Sequence, residues 1–188
     1  MIDPMTLPAD LPEPIDDGAA DHLPGRAVPG ISLPATDGRT IRLDHLNARW
    51  TVIYAYPRTG VPGEPSLVDD WDLIPGARGC TPEACGFRDH HAELAALGAD
   101  VFGLSTQSSE YQRELVERLG LPFAILSDSE LKLTRALVLP TFEVAGKTLL
   151  KRHTFVIGAG RIEHVFYPVF PPDRHAAEVL AWLHVAAP

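Results

Sequence analysis

The sequence predicts an α/β domain in which helices flank a mixed central sheet. A nearly continuous β-prone run at residues 50–56 is typical of a central strand that is covered on both faces. Strand-like and helix-like segments then alternate, which favours parallel pairing of neighbouring strands. Two late strand-like segments, 148–157 and 161–167, surround Gly-Ala-Gly and predict a hairpin with antiparallel pairs. Together these observations predict a single domain with a mixed sheet.

The start of the chain differs in character from the rest. Residues 1–29 are rich in proline and acidic residues and show no sustained periodicity. They predict a flexible arm, and a segment that packs along its own or a partner subunit is the alternative. The domain itself is expected to span residues 30–188. It should begin with a β-hairpin, because β-prone residues flank the turn signal Asp37-Gly38.

Hydrophobic periodicity and turn residues predict the remaining elements. Two of the helices are expected to end near Gly98 and Gly120, and Ser108 or Ser109 is the candidate cap of the second. The predicted strands are 31–36, 40–43, 50–56, 100–105, 122–126, 148–157 and 161–167, and the predicted helices are 80–98, 108–120, 129–137 and 173–185.

The composition excludes several classes of protein. The formal net charge of the 188 residues is −9 without a basic block, which argues against nucleic-acid binding. No apolar run approaches the roughly 18 residues that indicate a membrane span. The acidic N-terminus is unlike a secretory signal. Two cysteines do not make a disulfide framework in a chain of this size, so a cytoplasmic location is expected.

Both cysteines lie in one short stretch, residues 79–89, with the sequence Gly-Cys-Thr-Pro-Glu-Ala-Cys-Gly-Phe-Arg-Asp. Pro82 favours a helix start, and Thr81 is a candidate N-cap. Cys80 is therefore expected at the unsatisfied N–H groups of a helix start, which stabilise an anion. The thiolate is the reactive form of cysteine, so Cys80 is the candidate nucleophile.

The spacing of the two cysteines bears on disulfide formation. On an intact helix, the Cα atoms of residues five apart lie about 8 to 9 Å from each other. A disulfide needs them within about 7 Å. A permanent Cys80–Cys85 bond is therefore not expected. A transient bond that forms when the first helical turn unwinds is compatible with the spacing and is typical of catalysis.

The stretch 79–89 resembles the active-site signature of the Q-type peroxiredoxins, also called bacterioferritin comigratory proteins. The resemblance implies that Cys80 attacks the peroxide and that Cys85 resolves the resulting sulfenic acid through an intramolecular disulfide, the atypical 2-Cys mechanism. It implies a thioredoxin-like fold with an N-terminal β-hairpin. It also implies a thiol-dependent peroxidase for hydrogen peroxide and alkyl hydroperoxides, with a thioredoxin- or glutaredoxin-like reductant, no cofactor or metal, and a monomeric or weakly dimeric state.

A late strand carries the candidate hydrogen-bond donor. The pattern Arg-x-Thr-Phe that begins at Arg152 resembles the place of the catalytic arginine in peroxiredoxins. A guanidinium offers several fixed N–H donors and a permanent positive charge, which suit a thiolate and a peroxide. Arg78 and Arg88, close to the cysteines, are alternatives. The plain structural interpretation of Arg152 is a solvated arginine at a strand end.

One position departs from the family pattern. Peroxiredoxins carry a hydroxyl three residues before the reactive cysteine, where this chain has Ala77. A proline followed closely by threonine occurs earlier, in Pro57-Arg58-Thr59, which indicates that residues 58–78 are an insertion. We expect this long segment to form a loop packed over the active site. Thr59 would then supply the missing hydroxyl, and another hydroxyl, a backbone amide or water is the alternative.

Other interpretations stay open at this point. Cys85 is also compatible with an inert buried cysteine. His90 and His91 follow the cysteines, but the spacing is not that of a zinc site, and adjacent residues face different sides of a helix. No metal is therefore expected. The alternative function is a peroxide sensor or partner-binding protein with little turnover. A general disulfide reductase is disfavoured because Cys-x-x-Cys is absent.

Overall fold

Strands and helices follow one another along residues 7–186, the part of the chain that the computed structural model describes, and they alternate between β3 and β6. The strands are β1 (Ser32–Pro34), β2 (Thr40–Arg42), β3 (Trp50–Ala55), β4 (Ala99–Ser105), β5 (Ile125–Ser127), β6 (Thr141–Val144), β7 (Lys147–Leu150), β8 (His153–Gly158) and β9 (Arg161–Phe166). The helices are α1 (Cys80–Asp89), α2 (His91–Ala96), α3 (Ser109–Leu119), α4 (Lys132–Leu137) and α5 (His175–Ala186). None of these helices has the length and apolar character that a membrane crossing requires.

A five-stranded sheet with the order β5-β4-β3-β8-β9 forms the centre. The strands β3, β4 and β5 run parallel, because helices connect them, whereas β8 pairs antiparallel with both β3 and β9. The strands β1 and β2 form the predicted N-terminal hairpin, in which Leu33 lies opposite Ile41. This arrangement confirms the predicted α/β class with a mixed sheet.

The central strand β3 supplies side chains to a hydrophobic core on each face of the sheet. Ile53 belongs to one core together with Phe155, and Val52 and Tyr54 belong to the other together with Phe87 of α1. Successive residues of a strand point to opposite faces, so a strand that is covered on both sides reads as an unbroken apolar run. The core that contains Phe87 is the one against which α1 packs, and it therefore positions the helix of the two cysteines.

The described part of the N-terminal segment packs on the domain, which corrects the expectation of a flexible arm. Leu23 is fully buried in the core. The carboxylate of Asp17 accepts hydrogen bonds from Lys151 at 2.5 Å and from the Tyr167 hydroxyl at 2.6 Å. These contact residues lie among prolines and show no helical or strand-like spacing, so the sequence pattern did not predict that the segment packs. The segment packs along its own subunit, the alternative named above, and residues 1–6 lie outside the described part.

Two predicted elements are divided in the structure. The predicted helix 80–98 is interrupted at His90, where α1 gives way to α2. The apolar stripe continues across the break, since Phe87 and Leu94 are both fully buried, and the break is therefore invisible in the pattern. The predicted strand 148–157 is interrupted at Lys151 and Arg152. Its first part lies in β7, which pairs with the unpredicted strand β6 in a hairpin, and its second part lies in β8.

Candidate active site

Cys80 is the first residue of α1, directly after a glycine that the local backbone requires. Gly79 has a φ of 108°, which is a left-handed conformation. A Cβ at this position would also overlap the ring of Pro172. Gly79 is the N-cap residue of α1, and none of the described side chains caps the helix, which corrects the prediction of Thr81. The thiol of Cys80 thus lies at the N–H groups of a helix start, as the sequence predicted.

The guanidinium of Arg152 lies beside this thiol. Its Nη2 atom donates a hydrogen bond to Sγ of Cys80 at 3.2 Å. The side chain of Arg152 is 1% exposed, which excludes the interpretation of a solvated strand-end arginine. Nη2 also lies within hydrogen-bonding distance of carbonyl oxygens of the segment that leads to Cys80, at Gly76 (3.2 Å), Ala77 (3.4 Å) and Arg78 (3.1 Å). Arg152 therefore holds both the sulfur and the backbone in front of it.

A buried carboxylate completes this group. Glu83, one helical turn after Cys80, forms an ion pair with Nη1 of Arg152. Burial raises the pKa of Glu83, and the charge of Arg152 opposes that rise. Burial acts to lower the pKa of Arg152, but Cys80 and Glu83 outweigh it, so the pKa lies above its ordinary value. The guanidinium therefore stays charged and is held from two sides.

The sequence predicted no role for Glu83 in the site, and this ion pair was missed. Residues three apart lie on the same side of a helix, so the spacing from Cys80 was a usable signal. The partner of the carboxylate was not visible, because Arg152 lies 69 positions further along the chain.

Cys80 opens into a pocket of about 560 Å³. Most of its wall comes from the segment 58–78, whose residues from Arg58 to Leu67 line it together with Trp71. Trp71 is buried, whereas Leu73 of the same segment is 74% exposed. The long segment thus lines the same pocket as Cys80.

Thr59 lines the same pocket as Cys80. Its hydroxyl donates to Oε1 of Gln107 at 3.2 Å. Among the described residues, no hydrogen bond joins this hydroxyl to the sulfur of Cys80. Ala77, which occupies the threonine position of the family pattern, is fully buried against Trp71 and contributes no hydroxyl. Thr59 therefore lies in the pocket, and its role in catalysis remains a prediction.

Cys85 lies on the same helix as Cys80, and no disulfide joins the two. It is 7% exposed. Burial raises the pKa of the Cys85 thiol, and the charge of Arg88 partly offsets this effect. The guanidinium of Arg88 donates to Asp89 and to the carbonyl oxygen of Leu119, away from Cys80. The intact helix therefore keeps the second cysteine covered and in its thiol form.

The two histidines do not form a metal site with the cysteines. Nδ1 of His90 lies 2.8 Å from a carboxylate oxygen of Glu93, and the ring of His91 lies next to Phe123. Within residues 7–186, no three histidine, cysteine or carboxylate side chains are grouped so that they could hold a metal ion.

A mixed sheet with a cysteine at the start of the helix that follows the central strand, next to a buried arginine, defines the class of thiol-based redox proteins with a thioredoxin-like fold. The particular family follows from comparison with known proteins. Residues 23–180 match the sequence model of the redoxin family, and the chain belongs to this family.

Its relatives are named peroxiredoxins. Peroxiredoxin Bcp of Escherichia coli K12 is 34% identical over 163 residues, which cover 85% of this chain and 94% of the relative. The chloroplastic peroxiredoxin Q of rice (Oryza sativa subsp. japonica) is 31% identical over 157 residues, which cover 83% of this chain. The chain spans only 64% of the length of that relative.

Solved structures agree with this family assignment. Peroxidoxin BcpB from Mycobacterium tuberculosis superimposes with a TM-score of 0.70 at 29% identity, covering 87% of this chain and 97% of the other. Peroxiredoxin Q from Xanthomonas campestris has the same fold, with a TM-score of 0.67 at 24% identity and coverage of 96% and 100%. The predicted thioredoxin-like peroxiredoxin fold is confirmed.

Proposed function

We propose that the chain is a thiol-dependent peroxidase that reduces hydrogen peroxide and alkyl hydroperoxides. The observation that carries the proposal is the hydrogen bond from Arg152 to the sulfur of Cys80 at an open pocket. The family supports it, since relatives from bacteria and plants are named peroxiredoxins. A bacterioferritin comigratory protein of Xanthomonas campestris, which shares the fold, has been described as active in alkyl peroxide reduction.

The proposed first step is attack by the sulfur of Cys80 on one peroxide oxygen. An S–O bond forms, the O–O bond breaks, and water or an alcohol leaves after taking up a proton. The sulfur is oxidised by two electrons to a sulfenic acid. Negative charge spreads from the sulfur over both oxygens during this step. The fixed guanidinium of Arg152 stabilises that charge, because its N–H donors are already oriented before the reaction.

Thr59 is the proposed second contact of the substrate. Its hydroxyl proton is directed at Gln107, and the hydroxyl oxygen keeps lone pairs that accept a hydrogen bond. A hydroperoxide has an O–H group that such an oxygen can orient. Thr59 and Cys80 line one pocket, so a single bound peroxide can meet both residues.

The second proposed step uses Cys85 as the resolving residue. Its thiol condenses with the sulfenic acid of Cys80, which releases water and forms a disulfide. Both residues lie on α1, so this helix must open before the sulfurs can meet. Opening also removes the burial that raises the pKa of Cys85. A thioredoxin- or glutaredoxin-like dithiol then returns two electrons and two protons to the disulfide by thiol exchange.

The experiment that tests the proposal is a count of turnovers. Consumption of hydrogen peroxide and of an alkyl hydroperoxide is measured with an excess of a thioredoxin system. Many equivalents of peroxide consumed per chain are the expected result. Consumption that stops after one equivalent would favour the sensor, the alternative function, and no consumption would contradict both. A cytoplasmic location and a monomeric or weakly dimeric state are further predictions.

A further inference from the structure

One buried hydrogen-bonded group lies next to the pocket without lining it. Gln107, in the connection between β4 and α3, is 6% exposed and is not among the residues of the pocket wall. A buried amide side chain is costly unless its donors and acceptors are satisfied. Its partners therefore indicate what the residue does.

The carboxamide of Gln107 pairs with Thr59 through three hydrogen bonds. Its Oε1 accepts from the backbone N–H of Thr59 at 2.9 Å and from the hydroxyl at 3.2 Å. Its Nε2 donates to the carbonyl oxygen of Thr59 at 3.0 Å. A backbone N–H only donates and a carbonyl oxygen only accepts, so these partners determine which end of the carboxamide is oxygen. The carboxamide thus binds the backbone N–H and C=O of Thr59, the groups that a neighbouring β-strand would otherwise bind.

Gln107 is itself held on several sides. Its backbone N–H donates to the hydroxyl of Ser105 at 2.9 Å. Its carbonyl oxygen accepts from Nε2 of Gln112 at 2.9 Å and from the hydroxyl of Ser127 at 2.7 Å. Gln112 in turn accepts a hydrogen bond from the hydroxyl of Tyr56 at 2.6 Å. Buried networks in which each member has its partners are rigid.

We infer that Gln107 is a positioning residue of the peroxidase reaction, because it fixes Thr59 at the wall of the pocket into which Cys80 opens. The inference rests on the proposed function. Thr59 stands near the start of the segment 58–78, and residues 56–70 around it belong to no strand or helix. Oε1 of Gln107 accepts the hydrogen bond from the Thr59 hydroxyl, which leaves the oxygen of this hydroxyl free to accept from the substrate.

The test compares two reactions of Cys80 in the same reduced protein. Reaction with hydrogen peroxide depends on orientation of the substrate, whereas alkylation by iodoacetamide depends on access to the sulfur and on its ionisation. Gln107→Met keeps the length of the side chain but removes its hydrogen bonds. We expect this variant to react with peroxide about tenfold more slowly and with iodoacetamide within about twofold of the wild type.

Two further variants separate positioning from structural support. Gln107→Glu keeps the acceptor oxygen and loses the N–H donor, so its peroxide rate should lie between those of the wild type and Gln107→Met. In a Thr59→Val background, Gln107→Met should lower the peroxide rate by much less than tenfold, because the hydroxyl that it orients is gone. Glu110→Gln, an exposed position at the start of α3, is the matched control and should react as the wild type.

Three outcomes would overturn the inference. The first is a wild-type peroxide rate in Gln107→Met, the second is an equal loss of both reactions, and the third is an undiminished effect in the Thr59→Val background. If Gln107→Met does not fold, the glutamate variant decides, and a wild-type peroxide rate in that variant overturns the inference. An inert wild type would instead contradict the proposed function, and the inference with it.

Discussion

Nη2 of Arg152 lies 3.2 Å from Sγ of Cys80 in a buried contact between residues that are 72 positions apart in the chain. The other amino group of the same guanidinium is paired with Glu83. A single side chain therefore joins the sulfur of Cys80 to a buried carboxylate. The positive charge at the site is held in place by tertiary structure and adds to the local effect of the helix start.

Replacement of Arg152 should slow the reaction of Cys80 with peroxide. Arg152→Met removes the fixed donors and the charge, and loss of one preorganised donor typically costs about a hundredfold or more in rate. Arg152→Lys should recover only part of the rate, because an ammonium group does not reproduce the planar fork of donors. Stopped-flow oxidation of the reduced proteins by peroxide measures the rates of both variants. Arg88→Lys is the control, and a wild-type rate in Arg152→Met would contradict the assignment.

The ion pair of Glu83 and Arg152 should be visible in the stability of the protein. Glu83→Gln keeps the shape of the side chain but leaves the guanidinium buried beside a neutral amide. Removal of one partner from a buried ion pair costs about 3 kcal/mol or more of the free energy of unfolding. Urea unfolding measures the loss. The exposed acid Glu93 provides the matched control, and Glu93→Gln should change stability by less than about 1 kcal/mol. Equal stability of the two variants would show that the ion pair has no such role.

Cys85→Ser should separate the two proposed steps. The first oxidation of Cys80 should keep its wild-type rate, since Cys85 does not line the pocket. Turnover with a dithiol protein should slow, because the sulfenic acid has no partner within the chain. Excess peroxide should then convert Cys80 to the sulfinic acid, which mass spectrometry detects. Unchanged turnover would identify Cys85 as an inert buried cysteine.

The hydrogen bonds of Asp17, which hold the N-terminal segment on the domain, predict that the free energy of unfolding depends on pH. Hydrogen bonds from Lys151 and then from Tyr167 lower the pKa of Asp17 from 3.8 to about 2. A carboxyl whose pKa is lowered by folding stabilises the folded protein at pH values above the pKa that it has in the unfolded chain. This contribution is lost as the pH falls towards 2. Asp17→Asn should therefore lower the free energy of unfolding at neutral pH, by less than about 1 kcal/mol because the pair is partly exposed.

The difference between Asp17→Asn and the wild type should stay constant down to about pH 4 and vanish towards pH 2. Chemical unfolding at a series of pH values measures it. Asp10→Asn alters an exposed acid in the same segment and should show no such pH dependence. A difference between Asp17→Asn and the wild type that does not change with pH would contradict the proposed anchor.

Local signals predicted most of the elements correctly. The unbroken apolar run of β3 was legible because both faces of the strand are covered. Ser108 was predicted as a cap, and its hydroxyl accepts from the N–H of Tyr111 at 3.2 Å, a contact within one helical turn. The hairpin of β6 and β7 was missed. Its turn contains Ala145 with a positive φ, a conformation that alanine does not signal.

In the site as well, local signals were predictive, whereas contacts between distant parts of the chain were missed. The position of Cys80 followed from its neighbours in sequence, and Arg152 followed from a family motif. The hydrogen-bond partners of Glu83 and Gln107 were not predicted. They lie 69 and 48 positions away in the chain, and a single sequence does not indicate such distant contacts. Buried polar groups are recognised by their partners, which only the folded structure brings together.

The most direct test of the account is a thiol count after one equivalent of hydrogen peroxide is added to the reduced protein. The account predicts that both thiols of the wild type disappear and that peptide mapping finds one Cys80–Cys85 disulfide, while Cys80→Ser keeps its single thiol and leaves the peroxide unconsumed. Peroxide consumption at the wild-type rate by Cys80→Ser, or two intact thiols in the wild type, would contradict the central claim that Cys80 is the nucleophile.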